Sequence, residues 1–517
     1  MKIPSLILKQ LYTFGSLENT GRGVRFGLKN RLSDAMLIRV GEITIDGRTL
    51  PLDEVVFDLG SDGEVAPADV SDGNPVEFPL SKIVSVVWRG AELAIGKHTI
   101  GIAFETSPFG NLSFRVKDAI REHTEERITV PYDKEDNYSD EIIGRRRDFV
   151  QAFAGSEPEH LYRQSFDPRL TEGNIENFVG VAQVPIGLAG PVKVNGEHAK
   201  GEFVVPLATT EGTLVASYNR GIKVLNLAGG ATATVSDDRM QRAPVFVFDS
   251  AREARDFRGW VEENMGEIRR AAEATSSVAR LLDIDIFLAN KFAYLRFNYS
   301  TGDAAGQNMV TLATQRICDF ILAEAPVRPT RSYVEGNLSG DKKASAQAFN
   351  TVRGKKTIAE ATLPADLVQR YLHTTPEAMT DYWRMSALGG VLSGTIGVQG
   401  HFANGLAALF IACGQDPACV AESAVGVTRF EVTEEGALYA AVTLPNLMLG
   451  TVGGGTGLPT QRACLDLLGL SGAGKSGALA EVTAALVLAG ELSIIGAMAA
   501  GHFARAHERR ARSTRRL

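Results

Sequence analysis

The sequence has little cysteine, little proline and no excess of positive charge. Its 517 residues include four Cys and 20 Pro, and 54 Lys and Arg stand against 61 Asp and Glu, for a net charge of −7. Four scattered cysteines without a C-x-x-C pair fit neither a zinc site nor a disulfide framework and favour a reducing, cytoplasmic setting. Because the overall charge is negative, we expect no nucleic acid as a partner. Because the cysteine spacing suits no zinc site, we also expect no metal.

Long uninterrupted hydrophobic runs are also scarce. The apolar patch at the N-terminus is too short for a signal peptide and is closed by Lys9. Residues 385–415 carry no charge but include seven glycines, so we predict a helix buried inside an enzyme core rather than a membrane span. Glu481 and Glu491 interrupt the C-terminal apolar segment. We therefore expect a soluble chain.

The length and the local patterns predict two or three domains. Period-two alternation in residues 36–48 and 94–104 predicts strands, and hence a β-rich accessory domain over residues 1–116. A charge-rich stretch over residues 117–147 predicts a linker that leads into a helix. Beyond it, the capping box from Ser250 to Glu253 predicts a helix start, and Tyr294–Tyr299 alternates like a strand.

Glycine is abundant, at 53 of 517 residues. Residues 469–476 match the phosphate-loop pattern G-x-x-x-x-G-K-[ST], in which backbone N–H groups and a lysine hold phosphates. The preceding residues resemble a helix end as much as a strand, and no strand ending in a magnesium-binding Asp follows. We favour a polar turn between two helices; a nucleotide-hydrolysing protein that uses Lys475 stays open as the alternative.

Several segments place carboxylates and lysines among Gly, Ala and Thr, where solvated charges seldom lie. Buried charges must be paired, and their pKa values shift into ranges that suit proton transfer. These segments, between residues 176 and 507, are 176–180, 206–221, 240–244, 302–309, 336–343, 414–417, 450–456, 491–493 and 500–507.

In this order, the segments resemble hydroxymethylglutaryl-coenzyme A reductase. The run Thr209-Thr210-Glu211-Gly212 resembles the class found in eukaryotes and many archaea. The resemblance covers roughly residues 145–510 and implies an α/β (α+β) fold. A large domain over 148–244 and 333–517 would bind coenzyme A and substrate, and an inserted ferredoxin-like domain over 245–332 would bind the dinucleotide. The N-terminal residues lie outside this resemblance.

The resemblance also implies a reaction, in which a thioester is reduced to mevalonate and free coenzyme A by two hydrides from NADPH, in the mevalonate pathway of isoprenoid biosynthesis. Lys342 matches the lysine that stabilises the thioester oxyanion as a buried cation. Glu211 matches the carboxyl that supplies a proton, and Asp416 the carboxylate held between the two. His507 matches the histidine that protonates the departing thiolate.

The implied binding residues fall into three groups. The substrate group is Arg242, Lys343 and Asn337, and the coenzyme A group is Ser217, Asn219 and Arg220. The dinucleotide group is Ser276, Asp303, Gly306, Asn308, Gly453, Gly454 and Gly455. Residues 176–180 match a dimer contact, which implies a homodimer or homotetramer with shared active sites.

Two departures from the family pattern stand out. Ser276-Ser277 occupies the place of the Ser-Arg that binds the NADP 2′-phosphate, with Arg280 the nearest cation, so NADH use is an open alternative. Glu335 replaces a serine beside the substrate carboxylate, which it would repel unless its side chain turns away. The basic tail, residues 505–517 with Ser513, is expected to be a solvated end. A catalytically silent scaffold with a β-rich binding module is the remaining alternative.

Overall fold

The computed structural model describes residues 8–120 and 128–501. They cluster into two compact units. One holds the chain up to Thr129 together with Leu322–Ala325, and the other holds Val130–Ile321 and the chain from Pro326 onward.

The first unit consists of two five-stranded antiparallel sheets, ordered β1-β2-β8-β5-β6 and β10-β9-β3-β4, with β7 beside β3. Buried side chains alternate along β2, β9 and β10 and belong to one apolar core, which includes Val24, Phe26 and Ile43. The predicted strands are confirmed as β3 and β9. The strands are β1 Glu18–Thr20, β2 Gly23–Lys29, β3 Ala35–Ile45, β4 Arg48–Thr49, β5 Val55–Asp58, β6 Glu64–Val65, β7 Val76–Phe78, β8 Ile83–Trp88, β9 Gly96–Ser107 and β10 Gly110–Ile120.

The second unit contains a ten-stranded sheet with the main order β17-β14-β16-β13-β18-β20-β19. Strand β13 joins two parts of this sheet, because it pairs with β11 and β18 and then, at its last three residues, with β16. The strands are β11 Ile186–Gly196, β12 Lys200–Ala208, β13 Ala231–Arg242, β14 Val245–Val247, β15 Arg280–Ala289, β16 Phe292–Ser300, β17 Arg331–Tyr333, β18 Gly354–Leu363, β19 Val427–Val432 and β20 Leu438–Leu447.

Before Thr129 the described chain has short 3₁₀ helices, at Lys9–Leu11, Leu52–Glu54, Gly60–Asp62 and Pro67–Asp69, and the α-helices follow beyond it. They are α1 Asp140–Ala154, α2 Glu159–Tyr162, α3 Leu214–Leu227, α4 Ala251–Glu263, α5 Met265–Glu273, α6 Gln307–Glu324, α7 Ala365–Leu367, α8 Pro376–Ser393, α9 Phe402–Ala412, α10 Val420–Ser423, α11 Pro459–Leu467 and α12 Ser476–Ala499. The Ser250 hydroxyl accepts the Glu253 N–H at the start of α4, as the capping box predicts.

The predicted ferredoxin-like part is confirmed by its element order. From β14 to β17 the chain runs strand, helices α4 and α5, strand, strand, helix α6, strand, and these strands lie in the order β17-β14-β16-β15. The predicted strand at Tyr294–Tyr299 is the centre of β16.

Helix α12 is the one helix of the described chain that is long and apolar enough to cross a membrane, and 83% of its apolar window is buried inside the protein. It packs against α3 and β18 as a core helix. Its two carboxylates are fully buried and fully engaged: Glu481 accepts the N–H groups of residues 197–199, and Glu491 accepts those of Gly400 and His401. Buried acids of this kind need such donors.

The expectation of one buried helix over residues 385–415 is wrong. Two helices cover this stretch, separated by a bend at residues 394–401. Helix α9 is buried, whereas the end of α8 exposes Met385, Leu388, Val391 and Leu392 by 60–80%. Three of the seven glycines, at 394, 397 and 400, lie in this bend, whereas Gly405 lies in α9, where a Cβ would overlap the side chain of Tyr218.

Candidate functional site

Lys342 and Asp416 form an ion pair in the second unit, with 2.8 Å between Lys342 Nζ and Asp416 Oδ2. Their side chains are 41% and 36% exposed, so the pair is open to a ligand. Lys342 is therefore not the buried cation that the sequence predicts. Because the Lys342 ammonium is already exposed, it can donate hydrogen bonds to the oxygen of an incoming ligand.

Each partner is held by its own backbone setting. Lys342 has a left-handed backbone conformation, with φ +57°, in the loop that precedes β18. Asp416 caps a 3₁₀ turn, and its Oδ1 accepts the Ala418 N–H at 3.0 Å. The other oxygen, Oδ2, accepts from the Lys342 ammonium, so the two carboxylate bonds together fix the orientation of the Asp416 side chain.

The ion pair keeps both groups charged. The hydrogen bond to Asp416 raises the pKa of Lys342 above its ordinary value. Burial by itself would raise the pKa of Asp416, but the hydrogen bonds from Lys342 and Ala418 outweigh it, and the pKa of Asp416 lies below its usual range. At neutral pH the site therefore presents an ammonium group beside a carboxylate.

Glu211 has a different hydrogen-bond partner from this pair. Glu211 is exposed, and its Oε1 accepts a 3.3 Å hydrogen bond from Asn404 Nδ2 at the start of α9. Within residues 8–120 and 128–501, no hydrogen bond or ion pair joins Glu211 to Lys342 or Asp416. His507 lies outside the described residues, as does the basic tail with Ser513.

Arg242 and Glu335 meet beside the Lys342 loop. Arg242 Nη1 lies 3.3 Å from both Glu335 and Asp341, and the guanidinium is almost fully buried. Glu335 does not turn away: it accepts the N–H of Asn337 at 2.6 Å and the Ser339 hydroxyl at 3.1 Å. An anion that binds Arg242 must therefore compete with two carboxylates that are already present.

Lys343 is close to this cluster but bonds locally. Its Nζ donates to the Asp341 carbonyl at 2.7 Å, and its side chain is exposed. Asn337 is also exposed and has φ +64°. Of the predicted substrate group, only Arg242 is an interior side chain.

Sequence reasoning missed the buried pair beneath the loop, Arg353 and Glu422. Arg353 donates from Nη1 to Glu422 at 2.5 Å and from Nη2 to Asp341 at 2.7 Å, and neither Arg353 nor Glu422 is exposed. Burial raises the pKa of Glu422, although the Arg353 guanidinium opposes the shift. The signal was available, since Glu422 stands alone among small and apolar residues.

The predicted coenzyme A residues lie together on α3 and bond within the chain. The Ser217 hydroxyl lies 2.8 Å from that of Ser493, and Arg220 donates to both the hydroxyl and the carbonyl of Ser493. Asn219 accepts the Gly190 N–H. Burial lowers the pKa of Arg220, which has no carboxylate partner within the described residues. Its charge therefore remains available to an anionic ligand.

The predicted dinucleotide residues come from three adjoining loops. Thr451 donates its N–H to the Asp303 carbonyl, and Ala304 forms a β-bridge with Val452. A Cβ placed on Gly302 would lie 3.2 Å from Val278, in the loop that contains Ser276. The Ser276 hydroxyl accepts the N–H groups of residues 278 and 279. Asn308 is exposed near the start of α6.

The glycines of these loops have different physical reasons. A Cβ at Gly306 would overlap the Thr301 side chain, and one at Gly455 would overlap the backbone of Gly414. Gly453 and Gly454 have positive φ and nothing within 4 Å of a Cβ position. Only these two leave room for a ligand to approach the backbone.

The phosphate-loop pattern at residues 469–476 is a turn between α11 and α12, as predicted. Its amides already hold an internal anion: the Asp303 carboxylate accepts the N–H groups of Gly474 at 2.7 Å and Ser476 at 3.1 Å. Burial alone would raise the pKa of Asp303, but these N–H groups outweigh it and the pKa lies below its usual range. Asp303 thus caps α12, so its carboxylate is not free for a cofactor.

Comparison with known proteins gives two family matches. A family model described as hydroxymethylglutaryl-coenzyme A reductase matches residues 142–512, and a second, described as the N-terminal domain of hydroxymethylglutaryl-CoA reductase, matches residues 7–121. The second match corrects the expectation that the N-terminal residues lie outside the resemblance.

Individual relatives agree with these matches. The 3-hydroxy-3-methylglutaryl-coenzyme A reductase of Methanothermobacter thermautotrophicus is 46% identical over 71% of this chain and 93% of its own length. Reductase 2 of Gossypium hirsutum is 39% identical over 72% of this chain and 60% of its own. A solved class II reductase of Streptococcus pneumoniae, bound to NADPH, has a TM-score of 0.53 at 19% identity, over 69% of this chain and 96% of its own.

Proposed function

This chain belongs to the hydroxymethylglutaryl-coenzyme A reductase family, and we propose that it reduces 3-hydroxy-3-methylglutaryl-coenzyme A to mevalonate and free coenzyme A with NADPH. The single observation that carries the chemistry is the exposed Lys342–Asp416 pair at 2.8 Å. Residues 148–244 and 333–517 would hold the thioester, and residues 245–332 the dinucleotide.

Each proposed catalytic residue has one task. The Lys342 ammonium donates hydrogen bonds to the thioester oxygen as negative charge develops there. Asp416 orients the ammonium and keeps it protonated. Glu211 supplies a proton to the carbonyl oxygen, and His507 protonates the thiolate of coenzyme A. Arg242 and Lys343 bind the free carboxylate of the substrate, with Asn337 beside them.

The loops fit a dinucleotide, because Gly453 and Gly454 present open backbone and Ser276 lies in the adjoining loop. Two NADPH molecules, bound one after the other, would each supply one of the two hydrides of the reaction. Arg280 is the cation nearest to the Ser276 turn in sequence, and its guanidinium donates to the carbonyls of Ser277 and Ala279. A 2′-phosphate would need to draw Arg280 away from these carbonyls.

We expect Arg280→Ala to lower kcat/KM for NADPH by about tenfold while leaving that for NADH nearly unchanged, because one charge-assisted hydrogen bond contributes about 1.5–3 kcal/mol. Steady-state kinetics with both coenzymes and saturating thioester measures the two values. Equal losses with NADPH and NADH would show that Arg280 does not recognise the 2′-phosphate. If the wild-type protein turned over with neither NADPH nor NADH, the proposed function would be refuted.

We also propose a homodimer or homotetramer with shared active sites. The exposed apolar side chains of α8, residues 385, 388, 391 and 392, form one patch that water disfavours. Residues 176–180 supply a second candidate contact, anchored by Phe178, whose carbonyl accepts from Arg146 at 3.0 Å.

The oligomer has its own test. We expect Leu392→Glu to shift the mass measured by light scattering toward the monomer and to reduce activity in parallel, because a charge in an apolar contact is desolvated without a partner. Phe153→Glu, an exposed apolar position on α1, is the comparison variant. A Leu392→Glu protein of unchanged mass would exclude this patch as the contact. The cytoplasm is the proposed location, supported by four buried free cysteines.

A further inference from the structure

The buried pair Arg353–Glu422 has contacts that extend beyond its own ion pair. Glu422 Oε1 accepts the backbone N–H of Lys342 at 3.3 Å as well as the Arg353 guanidinium. Arg353 in turn holds the side chain of Asp341, the residue before Lys342. Asp341 and Lys342 are therefore both hydrogen-bonded to the buried Arg353–Glu422 pair.

The Arg353–Glu422 pair is also connected to Asp416, the ion-pair partner of Lys342. Glu422 lies on α10, which directly follows the 3₁₀ turn Pro417–Cys419 that Asp416 caps. Arg353 precedes β18, and its N–H donates to Asn446 Oδ1 of β20 at 2.9 Å. The pair thus ties the Lys342 loop, the Asp416 segment and the central sheet together.

Stability alone explains this pair poorly. Glu422 Oε2 and Arg353 Nε are buried and have no hydrogen-bond partner among the described residues. A buried ion pair that leaves polar atoms unsatisfied often contributes no more stability than apolar side chains of similar volume. Lys342, by contrast, has a left-handed backbone that is unfavourable without support from its surroundings.

We propose that Arg353 and Glu422 are positioning residues that hold the Lys342 backbone so that its ammonium meets Asp416 and the substrate oxygen. The proposal rests on the proposed reductase function. A displacement of about 1 Å in a reacting group can cost about 100-fold in rate. The loss should appear in kcat, because neither residue lies at the loops that would hold the dinucleotide.

The test separates positioning from folding by comparing Glu422→Leu with the double variant Arg353→Met/Glu422→Leu. The single variant leaves Nη1 of the buried Arg353 guanidinium without its acceptor, with only Asp341 still accepting from Nη2, so we expect a lower unfolding temperature and a lower kcat. In the double variant we expect the unfolding temperature to recover while kcat stays at least about tenfold below wild type, with the KM for NADPH changed less than about threefold. The exposed pair Arg429–Glu431, replaced in the same way, is the control and should keep wild-type kinetics.

Wild-type kcat in the folded double variant would overturn the proposal, as would a loss confined to KM. If the double variant does not fold, Glu422→Gln is the variant to measure. It keeps the side-chain volume and an acceptor oxygen but removes the negative charge that binds Arg353. A tenfold loss in kcat would support positioning, and an unchanged kcat would overturn it. A wild-type protein without thioester-dependent NADPH oxidation would instead refute the reductase function itself.

Discussion

Lys342→Ala is expected to lower kcat by about 100- to 1000-fold, the loss that follows removal of one oxyanion-stabilising donor. The ammonium is the charged donor that points into the open site, and Asp416 holds it at 2.8 Å. Without it, the carboxylate of Asp416 would face the thioester oxygen and oppose the charge that develops there. Stopped-flow or steady-state absorbance of NADPH, with purified thioester, measures the loss.

Lys475→Ala is the matched control for this variant. Lys475 is also an exposed lysine of the second unit, and it lies in the loop whose amides are occupied by Asp303. We expect full reductase activity and no nucleotide hydrolysis. Undiminished turnover in Lys342→Ala would remove the lysine from catalysis, whereas ATP hydrolysis that disappears in Lys475→Ala would revive the nucleotide-loop alternative.

Glu491→Ala is expected to have the largest effect on stability, a loss of about 3–5 kcal/mol. Its fully buried carboxylate accepts three donors at 2.8 Å each: the N–H groups of Gly400 and His401 and the buried hydroxyl of Thr428. A buried donor left without an acceptor costs about 1–3 kcal/mol. Urea unfolding followed by fluorescence measures the shift.

Glu435→Ala, in the exposed turn between β19 and β20, is the control and should change stability by less than about 0.5 kcal/mol. If Glu491→Ala lowered the free energy of unfolding by less than about 1 kcal/mol, the expectation would be wrong, and water would have replaced the lost carboxylate.

Much of the architecture could be predicted from local patterns. Period-two alternation found β3, β9 and β16, and the capping box found the start of α4. The ferredoxin-like order came from the family resemblance. The error over residues 385–415 has a physical cause: absence of charge is common to a buried helix and to an exposed contact face, and only the three-dimensional surroundings separate them.

The site was predictable as a set of residues but not as a set of contacts. The sequence placed Lys342, Asp416 and Arg242 in segments that the fold brings near one loop. It could not show that Glu335 faces Arg242 or that Asp303 caps α12, because these partners lie 93 and 171–173 residues apart in the chain. Glu422 could have been singled out as a lone carboxylate among small and apolar residues, but its partner Arg353 lies 69 residues away in the chain.

The most direct measurement is the number of NADPH molecules oxidised for each coenzyme A thiol released from the thioester, followed by absorbance and by a thiol reagent in the same sample. Reduction of a thioester to an alcohol requires two hydrides, so we expect a ratio of two, and no NADPH oxidation without thioester. A ratio of one, or thiol release without NADPH oxidation, would contradict it.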